Sequence, residues 1–392
     1  MTQEPKIFPY IARLLQGTEV VWKPLGEVAS LKRGRVISKE YLYDNVGEYP
    51  VYSSQTVNNG EIGRIKTFDF EQEAITWTTD GANAGTVFYR EGCFSITNVC
   101  GLITIKNIQT LNYKYLYYWL SIEAKKHVYS GMGNPKLMSN QMEKIPIPLP
   151  PLSVQQEIVR ILDKFTQLEA ELEAELDCRL RQYEYYRNKL LSYEGNEVEW
   201  KTLGEVVEAS KNVKWQNNKN TYDYIDLTSV CRDTGNILET LKIKADNAPS
   251  RAQKIVQLDD VIFATTRPSQ MRIALIPEVF DGQIASTGYC ILRADKVNVL
   301  PKWIFFVLST TEFKKFIEEN QSGTAYPAIS DGKLKEFKIP LPPLEEQQRI
   351  ATILDKFDTL VNSISEGLPK EIALRRKQYE YYREKLLSFS KE

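Results

Sequence analysis

One stretch of this chain occurs twice. Residues 145–191 contain, in order, IPLPPL, QQ, ILDKF and QYEYYR, and residues 337–387 contain the same blocks in the same order. Ile147–Leu152 recurs 192 residues later as Ile339–Leu344, whereas Gln182–Arg187 recurs 196 residues later as Gln378–Arg383. The second copy therefore holds four additional residues between ILDKF and QYEYYR. Four residues are close to one helical turn, so an apolar stripe can continue through the insertion without changing face.

The block has clear local physics. Pro148, Pro150 and Pro151 cannot sit inside a helix, and they hold the chain extended as a stiff approach and stop signal. Ser153 then stands at an N-cap position, with Glu157 adding negative charge to the first turn. Ile158, Ile161, Leu162, Phe165, Leu168, Leu172 and Leu176 recur at three and four, the pattern of an amphipathic helix with a coiled-coil-like seam. No Gly or Pro interrupts it before Gly195, so it is expected to run about 40 residues, or about 60 Å. In the second copy Gly367 and Pro369 predict a kink or break. A helix with one apolar stripe needs a partner, and the other copy is the obvious one.

A shorter repeat precedes each long one. Trp22–Val28 reads WKPLGEV and Trp200–Val206 reads WKTLGEV, so the whole unit is duplicated. Between the repeats, residues 29–144 carry β-branched and aromatic runs at Tyr49–Ile65, Ala74–Thr79, Thr86–Tyr89 and Val99–Ile105, separated by turns at Asn58–Gly60, Asp80–Gly81 and Glu91–Gly92. A helix over Leu111–Val128 follows, with Leu116, Trp119, Leu120 and Ala124 on one face. Residues 207–338 repeat the plan, with strands near Tyr222–Leu227, Val261–Thr266, Arg272–Ile276 and Tyr289–Leu292 and a helix over Lys302–Glu318. Each stretch ends in a matched loop, Ser130–Lys136 and Ser322–Pro327. Strands followed by a segregated helix predict an α+β globule. Two alike scaffolds with unlike surfaces imply one task performed on two targets.

Composition narrows the compartment more than the task. Lys plus Arg is 50 and Asp plus Glu is 51, so any basic surface must be local. The five cysteines (93, 100, 178, 231, 290) form no CxxC and no ligand pattern with the single His127, which predicts reduced, buried thiols in a cytoplasmic protein without a metal site. No segment reaches the roughly 18 apolar residues of a membrane span, so no membrane role is expected.

The order WKxLGEV, variable globule, IPLPPLxxQQxI, ILDKF and a long helix ending in QYEYYRxKLL, all duplicated, resembles the specificity (S) subunit of type I restriction-modification enzymes from about residue 20 to 390. The resemblance implies an α+β fold of two duplicated α/β target recognition domains separated by two long antiparallel conserved helices, with pseudo-twofold internal symmetry. It divides the chain into target recognition domain 1 (20–150), a central helix (151–195), target recognition domain 2 (198–342) and a C-terminal helix (343–390). Each domain would read one half of a bipartite double-stranded DNA site. The paired helices would dock two methyltransferase subunits, with motor-endonuclease subunits joining the complex. S-adenosylmethionine, ATP and Mg would belong to those partners, and no cofactor to this chain. Leu168–Glu171 followed by Leu172–Glu175 looks like the short helical repeat that tunes spacer length in this family. The mechanics suit it: half-sites on one side of B-DNA lie about 34–36 Å apart, and four helical residues add about 6 Å, on the order of one to two base-pair steps.

DNA-contact candidates are polar and basic residues in the loops of the globules. In the first they are Lys32, Arg33 and Arg35, then Ser54, Gln55, Asn58, Asn59 and Arg64 around one turn, Thr79 and Asn83 around another, and Lys136. In the second they are Lys211, Lys214 and Lys219 around Trp215, the cluster Arg251, Lys254, Thr266, Arg267, Gln270 and Arg272, and Thr324 with Tyr326. Arg reads guanine and Gln or Asn reads adenine, while Lys, Ser and Thr position phosphates. For any one of them the simpler reading is a solvated loop residue, and the two balance only at Arg267 and Gln270, where Pro268 stiffens a loop directly after a strand. Tyr183, Tyr186 and Arg187, with Tyr379, Tyr382 and Arg383, are interface candidates, since aromatic residues and Arg are enriched there; helix-on-helix packing explains the tyrosines equally well.

Catalysis is not expected from this chain alone. It has no FxGxG loop joined to a [DNS]PP[YFW] tetrapeptide and no P-loop, while Gly131-Met132-Gly133 is a lone GxG and Glu336-Phe337-Lys338 a lone ExK. One His leaves little for general acid–base work. Two alternatives stay open at this point: the specificity chain of a bipartite-site type II system, and a coiled-coil scaffold carrying two globules that bind something other than DNA.

Overall fold

The computed structural model describes residues 7–130, 133–193, 198–363 and 365–389. These described residues form two compact units, those up to 170 together with those from 374 onward, and those between 171 and 373. The first long helix, Leu152–Leu190, begins in one unit and ends in the other. Its 39 residues match the uninterrupted stretch expected, though Gly195 itself lies outside the described residues.

Both units share one topology. The first has an antiparallel sheet ordered Ala29–Arg33, Cys100–Ile105, Ala74–Thr78, Val87–Arg90, and a mixed sheet ordered Glu61–Ile65, Val46–Tyr52, Cys93–Ile96, Phe70–Glu71. The second has Val207–Glu208, Tyr289–Ala294, Val261–Ala264, Ile273–Leu275, and Leu241–Ile243, Tyr222–Ile225, Ile284–Ser286, Ala252–Ile255. In each mixed sheet the central pair is parallel, Val51 beside Ser95 and Tyr224 beside Ile284.

The blocks that recur in sequence meet in space. Val21–Pro24 pairs antiparallel with Pro146–Leu149, and Glu199–Thr202 with Lys338–Leu341, placing Trp22 opposite Pro148 and Trp200 opposite Pro340. Each of these sheets is two-stranded, and proline removes an N–H from the edge of the strands Pro146–Leu149 and Lys338–Leu341. The proline run is thus a strand as well as a stop signal. LGEV does not continue that strand and turns as a short helix at Leu25–Val28.

Other boundaries differ for identifiable reasons. The long helix starts at Leu152, one residue before Ser153, because Val154 and Gln155 both donate their N–H to Pro151 O (2.9 and 3.1 Å). The helix expected over Lys302–Glu318 is two, Pro301–Val307 and Thr311–Asn320, because the Thr310 side chain caps the second by accepting from Phe313 N. The second long helix breaks as anticipated, into Leu344–Asn362 and Leu368–Leu386. A Cβ on Gly367 would lie 2.4 Å from Thr359 O, so only glycine lets the chain fold this close to the helix it leaves. Cys100 and Cys290 are buried, but Cys178 lies on the open face of the helix and Cys93 and Cys231 are half-buried, so the expectation of buried thiols fails for those three.

The duplicated residues lock each helix to its globule. Gln155 is fully buried; it accepts from Asn112 N (2.9 Å) and donates to Thr110 O (2.9 Å) and Pro150 O (2.8 Å). Gln347, also fully buried, does the same with Leu300 N, Asn298 O and Pro342 O. Asp163 accepts from Lys114 and Asp355 from Lys302, both at 2.6 Å. Tyr115 and Trp303 donate to the carbonyls of Pro148 and Pro340.

The same blocks also join helix to helix. Phe165 stacks on Tyr382 in the first unit (5.5 Å), where Arg376 also donates to Glu169, so these segments run antiparallel. Phe357 stacks on Tyr183 and Tyr186 in the second unit (6.3 and 5.9 Å). Each ILDKF phenylalanine therefore meets the QYEYYR tyrosines of the other copy. Among the described residues no helix is long and apolar enough to cross a membrane.

Candidate nucleic-acid interface

In each unit a buried threonine at the end of the central strand joins two loops. Thr79 is fully buried; its hydroxyl donates to Val99 O (3.0 Å) and its carbonyl accepts from Leu137 N (2.9 Å). Gly81 N donates to Pro135 O (3.0 Å), so residues 79–81 run along residues 135–137. Thr265 repeats this: its hydroxyl donates to Gly288 O (3.0 Å), its carbonyl accepts from Ile329 N (3.0 Å), and Arg267 N donates to Pro327 O (2.7 Å). The matched glycine–proline loops are thus strapped to the loop after the central strand; Gly131 and Met132 of the first lie outside the described residues.

The frame is shared and the side chains it presents are not. In the first unit Arg33 donates to Thr79 Oγ1 (2.7 Å), and Arg33 and Lys136 flank Asp80 at 3.4 and 4.0 Å. Asn83 is exposed, and its carbonyl accepts from the Thr78 hydroxyl. In the second unit Arg267 holds a left-handed backbone (φ 51°) and lies over the ring of Tyr326, which is 73% exposed. Arg272 donates to Gln270 Oε1 (3.3 Å) and Val230 O (2.6 Å), and Thr324 is exposed on the strapped loop, two residues before Tyr326. Thr266, Arg267, Gln270, Arg272, Thr324 and Tyr326 therefore share one ridge.

A second patch lies on each mixed sheet. In the first unit it is the segment Ser54–Arg64. Asn58 and Asn59 are exposed and left-handed (φ 50° and 52°), Gln55 Nε2 donates to Glu61 O (2.5 Å), and Arg64 pairs with Glu61 (2.8 Å). Arg35 reaches this patch through its bridge with Thr97, whose hydroxyl donates to Ser53, and its guanidinium pairs with Asp69 (3.0 Å). Lys32 is exposed on Ala29–Arg33, an edge strand of the antiparallel sheet. In the second unit Val213 N donates to Gln253 O and Ile255 N to Lys211 O, laying residues 211–215 along 252–255. Exposed Lys211, Lys214 and Arg251 gather there, and Lys219 follows the next turn.

Two candidates face inward instead. Thr79 spends its hydroxyl on the loop junction and is not available to DNA. Lys254 is only 16% exposed and donates to Tyr289 O and Asp331, both at 2.7 Å, so it joins the sheet to the helix at Asp331–Lys335. Their positions in basic or polar runs gave no warning, since only the pleat decides which way each points. The interface tyrosines are also partly spent: Tyr183 is 5% exposed, and Tyr379 and Tyr382 pack against the first core. Arg187 and Arg383 lie over Tyr183 and Tyr379 at 5.0 and 5.2 Å, each with a buried Nε lacking a partner. The most outward tyrosines are Tyr185 (58% exposed) and Tyr381 (54%), each beside a lysine, Lys189 and Lys385, while Tyr186 stays 38% exposed with its ring stacked on Phe357. Their helical phase was legible one residue away from the residues singled out.

The family model described as type I restriction modification DNA specificity domain matches residues 18–179 and again 196–374. The chain is 33% identical over 413 aligned positions to the EcoR124I/EcoR124II specificity subunit of Escherichia coli, covering 97% of each. Over 171 residues it is 43% identical to the MpnII specificity subunit of Mycoplasma pneumoniae, spanning 43% of this chain and 51% of that one. The crystal structure of a type I restriction-modification S subunit from M. genitalium shares the fold over 96% of this chain and 98% of that one, with a TM-score of 0.59 at 16% identity. The chain therefore belongs to the type I restriction modification DNA specificity domain family and carries that domain twice.

Proposed function

We propose that this DNA specificity subunit reads a bipartite, asymmetric site, one half with each unit, and that the two strapped loops of each unit carry the base-reading side chains. The supporting observation is the common frame around Thr79 and Thr265 with different residues mounted on it: Arg33, Asn83 and Lys136 in one unit, Arg267, Gln270, Thr324 and Tyr326 in the other. Two like frames with unlike side chains suit two unlike half-sites. Lys32, Lys211, Lys214, Lys219 and Arg251 are exposed and would meet phosphates, which position the protein without specifying sequence.

The chain supplies recognition and its partners supply chemistry. Two methyltransferase subunits, carrying S-adenosylmethionine, dock on the outward helix faces around Tyr185 with Lys189 and Tyr381 with Lys385, and motor-endonuclease subunits using ATP and Mg join that complex in the cytoplasm. The long helices act as the spacer between half-sites.

Arg267→Ala tests the reading. In the assembled methyltransferase, discrimination at one base pair of the second half-site should fall by about 1–3 kcal/mol, on the order of 10-fold or more, with the first half-site unchanged. Lys214→Ala should instead weaken binding to all sequences alike and flatten the salt dependence by about one unit of slope. An Arg267→Ala complex with intact discrimination at both halves would contradict the assignment.

A further inference from the structure

Arg90 is the most unusual buried group among the described residues. It ends the strand Val87–Arg90, is 3% exposed, and has no carboxylate partner among the described residues. Its Nε donates to Thr76 Oγ1 (3.1 Å), its Nη2 donates to Asn59 O (2.7 Å), and its Nη1 is buried with no partner. The guanidinium is sandwiched between Tyr52 and Phe88, whose ring centroids lie 3.5 and 4.6 Å away. Burial lowers its pKa, the sign of a charge held where the solvent cannot reach it.

The second unit shows that the fold does not require this arrangement. Thr76 lies three residues before the junction threonine Thr79, and Ile262 lies three before Thr265. Arg90 stands opposite Ala74 on the ladder, and Ile276 stands at that place opposite Asp260. Ile262 and Ile276 are both fully buried, in an ordinary apolar cluster. One sheet is thus built once with two isoleucines and once with threonine and a charged arginine.

What the arginine reaches is the Asn58–Gly60 turn. Asn58, Asn59 and Gly60 are left-handed in succession (φ 50°, 52° and 80°), a run that L residues resist and Asn tolerates best. The turn is held from behind by Arg90 on Asn59 O, and a Cβ on Gly60 would lie 3.1 Å from Arg90 Nη2. Both asparagine side chains point into solvent without a protein partner among the described residues.

We infer that Arg90 is a positioning residue for DNA recognition: through Asn59 O it holds the Asn58–Asn59 turn in the strained form that presents two amides to the edges of bases in the first half-site. This rests on the bipartite DNA reading proposed above and adds the Asn58–Asn59 turn to the strapped loops as a base-reading element of the first unit. Asn is the side chain whose amide matches adenine bidentately, and such a match needs the backbone fixed before binding.

The test uses the full chain assembled with its methyltransferase subunits and duplex libraries randomised in one half-site at a time. The double variant Thr76→Ile, Arg90→Ile installs the pair the second unit already uses. It should relax discrimination on the order of 10-fold or more at the same one or two base pairs of the first half-site that Asn58→Ala and Asn59→Ala relax. The second half-site should be read as before. Arg90→Lys, which can reach Thr76 or Asn59 but not both, should relax the same positions less and serves if the double variant does not fold. Unchanged discrimination in folded variants, or a uniform loss for all sequences, overturns the positioning role. A wild-type complex with no half-site preference overturns the DNA-reading function itself, so the two failures are distinguishable.

Discussion

Deleting Leu172–Glu175 is expected to leave both half-sites legible and bring them closer together. The four residues lie within the continuous helix Leu152–Leu190, and none is buried. Their loss removes about 6 Å of rise and leaves the helix only about 40° out of phase, on the order of one to two base-pair steps at 3.4 Å each. The variant complex should therefore abandon the original site and methylate one with the same two halves and a shorter gap. Mapping modified bases in a host carrying the variant checks this. An unaltered gap would mean that the helix is not the spacer, whereas loss of all methylation with the protein folded would leave the docking surface as the element disturbed.

Gln155→Leu and Gln347→Leu should each destabilise their own unit by about 3 kcal/mol. Each glutamine is fully buried and each makes three hydrogen bonds to backbone at the foot of a long helix. Leucine is similar in volume, so the loss comes from stranding a backbone N–H and two carbonyls, at about 1–3 kcal/mol for a buried unsatisfied group. For domains of this size that corresponds to a melting shift of about 6–12 °C. The neighbouring Gln156 and Gln348 are exposed and provide the control, since leucine there should cost little. Thermal melts of the four variants would decide it, and equal losses at Gln155 and Gln156 would contradict the clamp.

That clamp explains why the QQ pair was the most legible and the least understood part of the sequence. The repeat announced that these residues matter, but a glutamine in an amphipathic helix gives no sign of facing the core. The helix and its break were readable because proline, glycine and three–four apolar spacing act locally, as at Pro151, Gly367 and Ile158–Leu176. Cys93–Ile96 and Ile284–Ser286, central in the mixed sheets, were missed because strands of three or four residues carry too little periodicity to stand out. The split at Thr310 was missed because no glycine or proline marks Ser309–Glu312 and apolar residues resume beyond it at Phe313 and Ile317, so the capping role shows only where the Thr310 hydroxyl accepts from Phe313 N.

The candidate interface was legible by composition and not by direction. Arg267, Gln270 and Tyr326 fell on one ridge because two loops meet through backbone bonds at Arg267–Pro327, a contact between distant residues that local sequence cannot encode. Lys254 had the same credentials and points at Asp331. Arg90 carried none, being one arginine at the end of an apolar strand, yet it holds the turn with the most constrained backbone in the first unit.

The most direct measurement of the central claim is to express the chain with its methyltransferase subunits in a methylation-free host and map modified adenines across the genome. Two readers with different side chains on like frames predict one split motif, two short unlike halves with a fixed gap and no palindrome. Modification without sequence preference, or at a single palindromic motif, would contradict it.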